Sequence, residues 1–199
     1  KRQTLLFSAT FSEAIRLLAG QMLDDPLSIE VSPRNVAASS VKQWLIPVDK
    51  KRKTELFCHL LKKQKWTQAL VFVKTRKGVD ELTELLQQQG INADGIHGDK
   101  PQATRQRALD RFKTREVQIL LATDVAARGL DIDDLPLVVN FDLPIVAEDY
   151  VHRIGRTGRA GNTGQAISLV CADEVNMLAA IEVLTGQLLK RVDEQDFEP

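Results

Sequence analysis

Within Tyr150-Val-His152-Arg153-Ile-Gly155-Arg156-Thr-Gly158-Arg159-Ala-Gly161, three arginines recur at intervals of three, separated by small residues. A guanidinium offers five N–H donors in a rigid fork that fits phosphate oxygens, so the chemistry such a run could serve is phosphate binding and charge neutralisation. On a helix each three-residue step turns back by about 60°, which would fan the three side chains over roughly 120° and keep them from sharing one partner. The glycines at 155, 158 and 161 either let backbone approach another surface or loosen the helix end that carries the last two arginines. Taken alone, the run also reads as a solvated basic helix end. It has company in Ala122-Thr123-Asp124-Val-Ala-Ala-Arg128-Gly129-Leu-Asp131, where a strand-like apolar run breaks into a polar, glycine-containing loop.

Elements that could position these groups alternate along the chain. Gln3 to Phe11 has the pattern of a short buried strand, and Ser12 can cap a helix to about Leu23 with Ile15, Leu18, Ala19 and Met22 on one face. Asp24-Asp25-Pro26 stops that helix. Residues 28–40 turn polar and small, which is linker chemistry, so residues 1–27 are expected to end a preceding domain and 41–199 to form a second one. Val41 to Val48 reads as a strand, and Lys50 to about Lys63 as a helix with Leu56, Phe57, Leu60 and Leu61 inward and its lysines outward. The basic run Lys50-Lys51-Arg52-Lys53 is expected to be a solvated helix start.

Ala69 to Val73 is short, continuous and β-prone, as a strand covered on both faces should be. Further strands are expected at 92–96, 117–122, 137–141 and 165–171, with helices from about Lys77, Pro101, Ala147 and Asp173. Repeated βα units imply an α/β fold, a mainly parallel sheet with helices on both faces. Ligands of such sheets sit outside the carboxyl ends of the strands. The loops at Thr75-Arg76, Gly98-Asp99 and Thr123-Asp124 all follow expected strands and should share one rim.

The totals narrow the function further. Lys plus Arg and Asp plus Glu both number 27 in 199 residues, so no bulk positive field attracts nucleic acid and any such binding must come from local patches. No leader-like stretch or membrane-spanning apolar run is present, and the chain reads as a piece of a longer cytosolic protein. Cys58 and Cys171 lie far apart among apolar neighbours, which suits buried, reduced thiols, and His59, His97 and His152 have no metal-ligand spacing.

Four stretches, taken in order, carry a resemblance. Ser8-Ala9-Thr10, the Ile96-His97-Gly98-Asp99 loop with Gln102 and Arg105, Ala122 to Asp131, and His152-Arg153-Ile-Gly155-Arg156-Thr-Gly158-Arg159 resemble the C-terminal motifs of DEAD-box ATP-dependent RNA helicases. The wording is most similar to the bacterial RhlE-type subgroup. This resemblance implies a RecA-like C-terminal domain preceded by the end of an N-terminal RecA-like domain, with ATP and RNA bound in the cleft between the two. No GxxxxGK[ST] loop or Asp-Glu-Ala-Asp box occurs in the chain, so the resemblance places the grip on ATP and its Mg2+ in the N-terminal domain and implies that this piece alone is inactive.

The same resemblance implies roles for single residues. Arg156 and Arg159 would reach the γ-phosphate on domain closure, His152 would contact the first domain's catalytic loop, and Ser8 and Thr10 would link hydrolysis to strand opening. Asp131 would accept bonds from the ATP ribose, with Gly129 permitting close approach, although Asp131 also reads as a turn aspartate. Thr75, Arg76, Gly98, Asp99, Arg105, Thr123, Asp124 and Arg128 would face single-stranded RNA through phosphate and 2′-hydroxyl contacts. Carboxylates repel phosphate, so Asp99 and Asp124 are expected to accept from a ribose hydroxyl or to orient arginines; Asp99 is also a candidate cap for the helix after Pro101. Arg153 is expected to be structural or bound to acidic neighbours. The partners implied are RNA and the N-terminal domain of the parent chain, with no membrane and a cytoplasmic setting. The alternative class is a non-catalytic RNA-binding or protein-docking module; a double-stranded DNA translocase fits the motif wording less well.

Overall fold

The computed structural model describes residues 3–8, 13–29, 41–132, 134–158 and 163–197. The chain divides into two compact units, Lys1–Val36 and Ala37–Pro199. In the first, α1 (Glu13–Met22) forms where the apolar stripe predicts it, while Leu17, Leu18 and Met22 stay exposed. Ser12, its expected cap, lies outside the described residues, as does most of the expected linker. Residues 3–8 form no strand, and Leu5 and Phe7 are exposed. An apolar run becomes a buried strand only where neighbours take up its backbone bonds and cover its side chains; these residues pair with no strand.

The second unit is built on seven parallel strands in the order β3-β4-β2-β5-β6-β1-β7. They are β1 (Val41–Pro47), β2 (Ala69–Phe72), β3 (Ala93–Ile96), β4 (Ile119–Ala122), β5 (Leu137–Asn140), β6 (Gly164–Val170) and β7 (Lys190–Arg191). The helices are α2 (Lys53–Gln64), α3 (Arg76–Gln88), α4 (Gln102–Lys113), α5 (Asp124–Ala127), α6 (Ala147–Ile154) and α7 (Val175–Thr185). Side chains alternate along a strand, and the core divides accordingly. Val71, Leu121, Val139 and Ile167 pack with Leu56, Phe57, Leu60 of α2 and Val79, Leu82, Leu86 of α3. Leu70, Phe72, Leu120 and Val138 face the other way, against α4 and α5, and Leu45, Ala166 and Val170 meet α6 and α7. Both faces of the sheet are therefore covered, which is why β2 and β4 read as unbroken apolar runs. The β7 strand, two exposed residues long, carries no such pattern.

Cys58 and Cys171 are free and buried, and burial raises both thiols above their ordinary range. One expectation fails at the start of α2. Lys50, Lys51 and Arg52 form a 3-10 turn with solvent access, but Lys53 is only 3% exposed. Its Nζ donates to Glu174 Oε2 at 2.6 Å, to the Phe141 carbonyl at 2.9 Å and to Asp142 Oδ1 at 3.3 Å. Glu174 in turn accepts from the Leu143 and Cys171 N–H groups at 2.9 and 3.0 Å. A buried ammonium is tolerated because each of its donors has an acceptor.

Burial opposes ionisation of Glu174, but the bonds from Lys53 and the two backbone N–H groups outweigh it and hold the carboxyl below its ordinary range. A carboxyl depressed in the folded state stabilises the fold above its unfolded pKa of about 4.3, and that contribution disappears as pH falls through the lower folded value. Wild type should therefore exceed Glu174→Gln in urea midpoint at about pH 6, with the gap closing below about pH 4. A gap that does not change with pH would exclude an ionised Glu174 as its source.

Candidate functional site

The register pairs Phe72 with Ala122 and Ile96 with Ala122, so β2, β4 and β3 end level and the loops that follow them share one edge. Thr75 opens α3 as its N-cap, its Oγ1 accepting from the Gly78 N–H at 3.0 Å. Arg76 Nη1 donates to Asp99 Oδ1, an ion pair that ties the loop after β2 to the loop after β3. Gly98 lies beside that guanidinium. His97, 4% exposed, sets the second loop. Its Nε2 lies 3.0 Å from each Asp80 oxygen, and its Nδ1 is 3.3 Å from the Asp99 N–H. That pattern assigns the proton to Nε2, with Nδ1 accepting. At Asp80, burial is outweighed by bonds from His97 and Lys100, and the carboxyl sits below its usual range. Asp99 does not cap α4: the N-cap is Pro101, without a side-chain bond, because the Asp99 carboxylate is turned to Arg76. In the first turn of α4, Arg105 Nη1 donates to Gln102 Oε1 at 3.0 Å.

Arg153 and Arg156 do not share one helix, and Arg159 lies outside the described residues. α6 ends at Ile154, Gly155 is its C-cap, and Gly158 takes a left-handed φ of 69°. Of these two, Arg153 is the helical one, and it points inward at 2% exposure. Its Nε and Nη2 donate to the two oxygens of Asp124 at 2.6 and 2.7 Å. Its Nη1 donates to Asn140 Oδ1 at 3.0 Å and to the Asp142 carbonyl at 2.7 Å. The guanidinium stacks over Phe72 with 4.8 Å to the ring centroid. Arg153 is thus bound to an acidic neighbour, as expected, and Asp124 accepts from an arginine. Thr123, at the N-terminus of α5, is 8% exposed and makes no side-chain capping bond.

Past the helix end, Arg156 turns to the loop that carries Gly129 and Asp131. Its Nη1 donates to the Leu130 carbonyl at 3.0 Å. Its own carbonyl accepts from the Leu135 N–H at 3.0 Å, and Thr157 Oγ1 donates to the Leu135 carbonyl. At the start of β6, a Cβ on Gly164 would lie 2.2 Å from Thr157 Oγ1 and 2.3 Å from the Gly158 nitrogen. Only glycine lets the strand pass under this segment without displacing it.

Gly129 has a φ of +73° and no atom near an added Cβ, so its backbone conformation, rather than crowding from this chain, calls for glycine. The Asp131 side chain is 93% exposed and pairs with Lys113 at 2.9 Å, which holds its carboxyl below the usual range. Arg128 Nη2 binds Asp149 Oδ1 at 2.6 Å, and His152 Nδ1 lies 3.7 Å from the same oxygen. Among the described residues the buried His152 Nε2 has no hydrogen-bond partner. Asp124, Arg128, Asp149, His152, Arg153 and Arg156 line one shallow cleft.

Ser8 belongs to the first unit, outside any helix or strand; Ala9, Thr10 and Arg159 lie outside the described residues. The pattern-based reading missed Asp80, Asn140 and Asp142. Asn140 left a signal: an amide closing the strand Leu-Val-Val-Asn and fully buried needs a polar partner. Among the described residues no group of three or more His, Cys, Asp or Glu side chains could hold a metal ion, and no helix is long and apolar enough to cross a membrane.

A wholly parallel sheet, helices on both faces, and arginines and loop polar groups gathered at the strand-end rim define an α/β lobe of the kind that binds ligands at its strand ends. The family described as "Helicase conserved C-terminal domain" matches residues 52–161, and the chain belongs to it, as the C-terminal domain of the DEAD-box type. The DEAD-box ATP-dependent RNA helicase CshA of Bacillus subtilis is 44% identical over 198 residues, covering 100% of this chain and 40% of that protein. CshA of Bacillus licheniformis is 44% identical over 192 residues, 96% of this chain and 39% of that one. The chain thus spans about two-fifths of the length of these curated relatives.

Among solved structures, the E. coli DEAD-box protein SrmB bound to regulator of ribonuclease activity A is similar with a TM-score of 0.75 and 41% identity, over 80% of this chain and 94% of that one. S. cerevisiae Dbp5 bound to RNA and ADP BeF3 gives a TM-score of 0.85 at 33% identity, over 96% of this chain and 51% of that one.

Proposed function

We propose that the chain is the C-terminal half of an ATP-dependent RNA helicase, supplying arginines to a nucleotide site and one wall of a single-stranded RNA site. The observation that carries this reading is the joining of Arg156 to the Gly129–Asp131 loop through the Leu130 carbonyl, which brings a phosphate-binding group and a ribose-binding carboxylate into one segment. Arg156 and Arg159 would neutralise charge on the transferring phosphoryl group, and Asp131, exposed and paired with Lys113, can turn to ribose hydroxyls. ATP fits these donors. A bound Mg2+ would neutralise phosphate charge; its ligands and the water-activating group are assigned to the N-terminal domain, with Ser8 and Thr10 joining that domain to strand opening. His152, with an unpartnered buried Nε2, is assigned to contact with that domain.

RNA is assigned to the level strand ends: Thr75, Arg76, Gly98, Asp99, Arg105, Thr123, Asp124 and Arg128. Within this set Arg76 and Arg105 are the groups suited to phosphate, while Asp99, Thr75 and Asp124 hold the loops in place. We assign this work on ATP and RNA to the cytoplasm. The test uses the full-length protein: single-stranded RNA should stimulate ATP hydrolysis, and RNA affinity should fall steadily as salt rises, because each phosphate contact releases counterions. Salt-dependent RNA binding with no ATP hydrolysis would instead support a non-catalytic RNA-binding module.

A further inference from the structure

Asp142 lies in the loop after β5 and contacts three separate parts of the rim. Its Oδ2 accepts the Lys74 N–H at 2.9 Å, immediately before Thr75 and Arg76. Its Oδ1 accepts from the buried Lys53 at 3.3 Å, and its carbonyl accepts from Arg153 at 2.7 Å. Lys53 is itself fixed by Glu174 at 2.6 Å. One aspartate therefore joins the Lys53–Glu174 pair to the Arg153–Asp124 pair and carries the loop that leads into α3. We infer that Asp142 is a positioning residue for RNA engagement: held by Lys53, its carboxylate sets the Lys74–Arg76 loop so that Arg76 and Thr75 meet the RNA backbone. This rests on the RNA reading proposed above.

The physical argument turns on which bonds are local to the carboxylate. Removing it leaves Lys53 still paired with Glu174 and the Phe141 carbonyl, so no buried charge is stranded. The Asp142 carbonyl stays in place for Arg153, which keeps Asp124. The loss falls on the Lys74 N–H, whose acceptor disappears, and on the loop that it anchors. A site held loosely by even about 1 Å binds its ligand less well, because the loop must be ordered at the moment of binding.

The experiment uses the full-length protein with Asp142→Ala and Asp142→Asn, measuring RNA-stimulated ATP hydrolysis against single-stranded RNA and ATP, with hydrogen exchange at residues 74–76. The alanine variant should raise the half-saturating RNA concentration roughly five- to tenfold, with kcat at saturating RNA and KM for ATP within about twofold of wild type. Backbone exchange should quicken at 74–76 and stay unchanged in β4. Asparagine keeps one acceptor oxygen and should fall between alanine and wild type. An unchanged RNA half-saturation in a folded Asp142→Ala protein overturns the assignment, as does a loss of kcat at unchanged RNA half-saturation. A wild-type protein that hydrolyses no ATP in response to RNA overturns the helicase reading and this inference with it, so the two failures are told apart by the wild-type control.

Discussion

Replacing Arg153 with alanine should cost this chain about 3–5 kcal/mol in urea unfolding, the range for removing one member of a buried ion pair. Three losses add up. Two charge-assisted bonds to Asp124 at 2.6 and 2.7 Å disappear, Asn140 at 0% exposure loses its Nη1 donor, and a cavity opens beneath Phe72. The Asp124 side chain, 27% exposed, can regain water, which argues for the lower part of that range. Arg153→Lys should recover little, since one ammonium cannot serve Asp124, Asn140 and the Asp142 carbonyl in the fork geometry. With domains of this size stable by about 5–15 kcal/mol in all, the alanine variant should stay folded but marginal at room temperature. A shift of less than about 1 kcal/mol would show that the pair contributes no net stability against its own desolvation.

The contrast between Arg153 and Arg156 also shows where the sequence stops being readable. Each sits two positions before a glycine in a repeating pattern, and composition cannot rank them. The helix end decides: Ile154 is the last helical residue, so Arg153 is carried inward on the α6 face that also buries Tyr150, and Arg156 leaves the helix axis. Strands and helices were legible because hydrophobic spacing is local: the unbroken run at 69–72 and the stripe Val79, Leu82, Leu86 each announce one element. The level rim was legible as well, because parallel βα units put every strand end on the same edge.

What could not be read were polar bonds between positions far apart in the chain. Lys53 looks like one more solvated lysine until Glu174, 121 positions later, is placed beside it. Asp142 looks like a turn aspartate until three loops converge on it. Residues 3–8 failed in the opposite sense: their apolar pattern is real, but a strand depends on neighbours that a local pattern does not contain.

Arg156→Ala in the full-length protein should lower kcat for RNA-stimulated ATP hydrolysis by roughly 10³-fold or more, the scale on which an arginine supplied to a transferring phosphoryl group acts. Stability should move little. Arg156 is only partly buried, and its Nη1 bonds the Leu130 carbonyl at 3.0 Å, a neutral acceptor that water can serve after the side chain is gone. The same contact predicts a smaller second effect. Without the guanidinium the Gly129–Asp131 loop loses a tether, so KM for ATP should rise by about two- to fivefold, the scale of one lost hydrogen bond. RNA half-saturation should stay within about twofold, because Arg156 is tied to the Gly129–Asp131 loop, proposed to meet nucleotide, rather than to the Arg76–Asp99 pair. Lysine should not rescue kcat, since a point charge lacks the fork that spans two phosphate oxygens. Arg153→Ala and Arg156→Ala thus separate cleanly, one seen in urea and the other in turnover. A kcat within about tenfold of wild type in a folded Arg156→Ala protein would remove this arginine from the phosphate and leave it a loop tether alone.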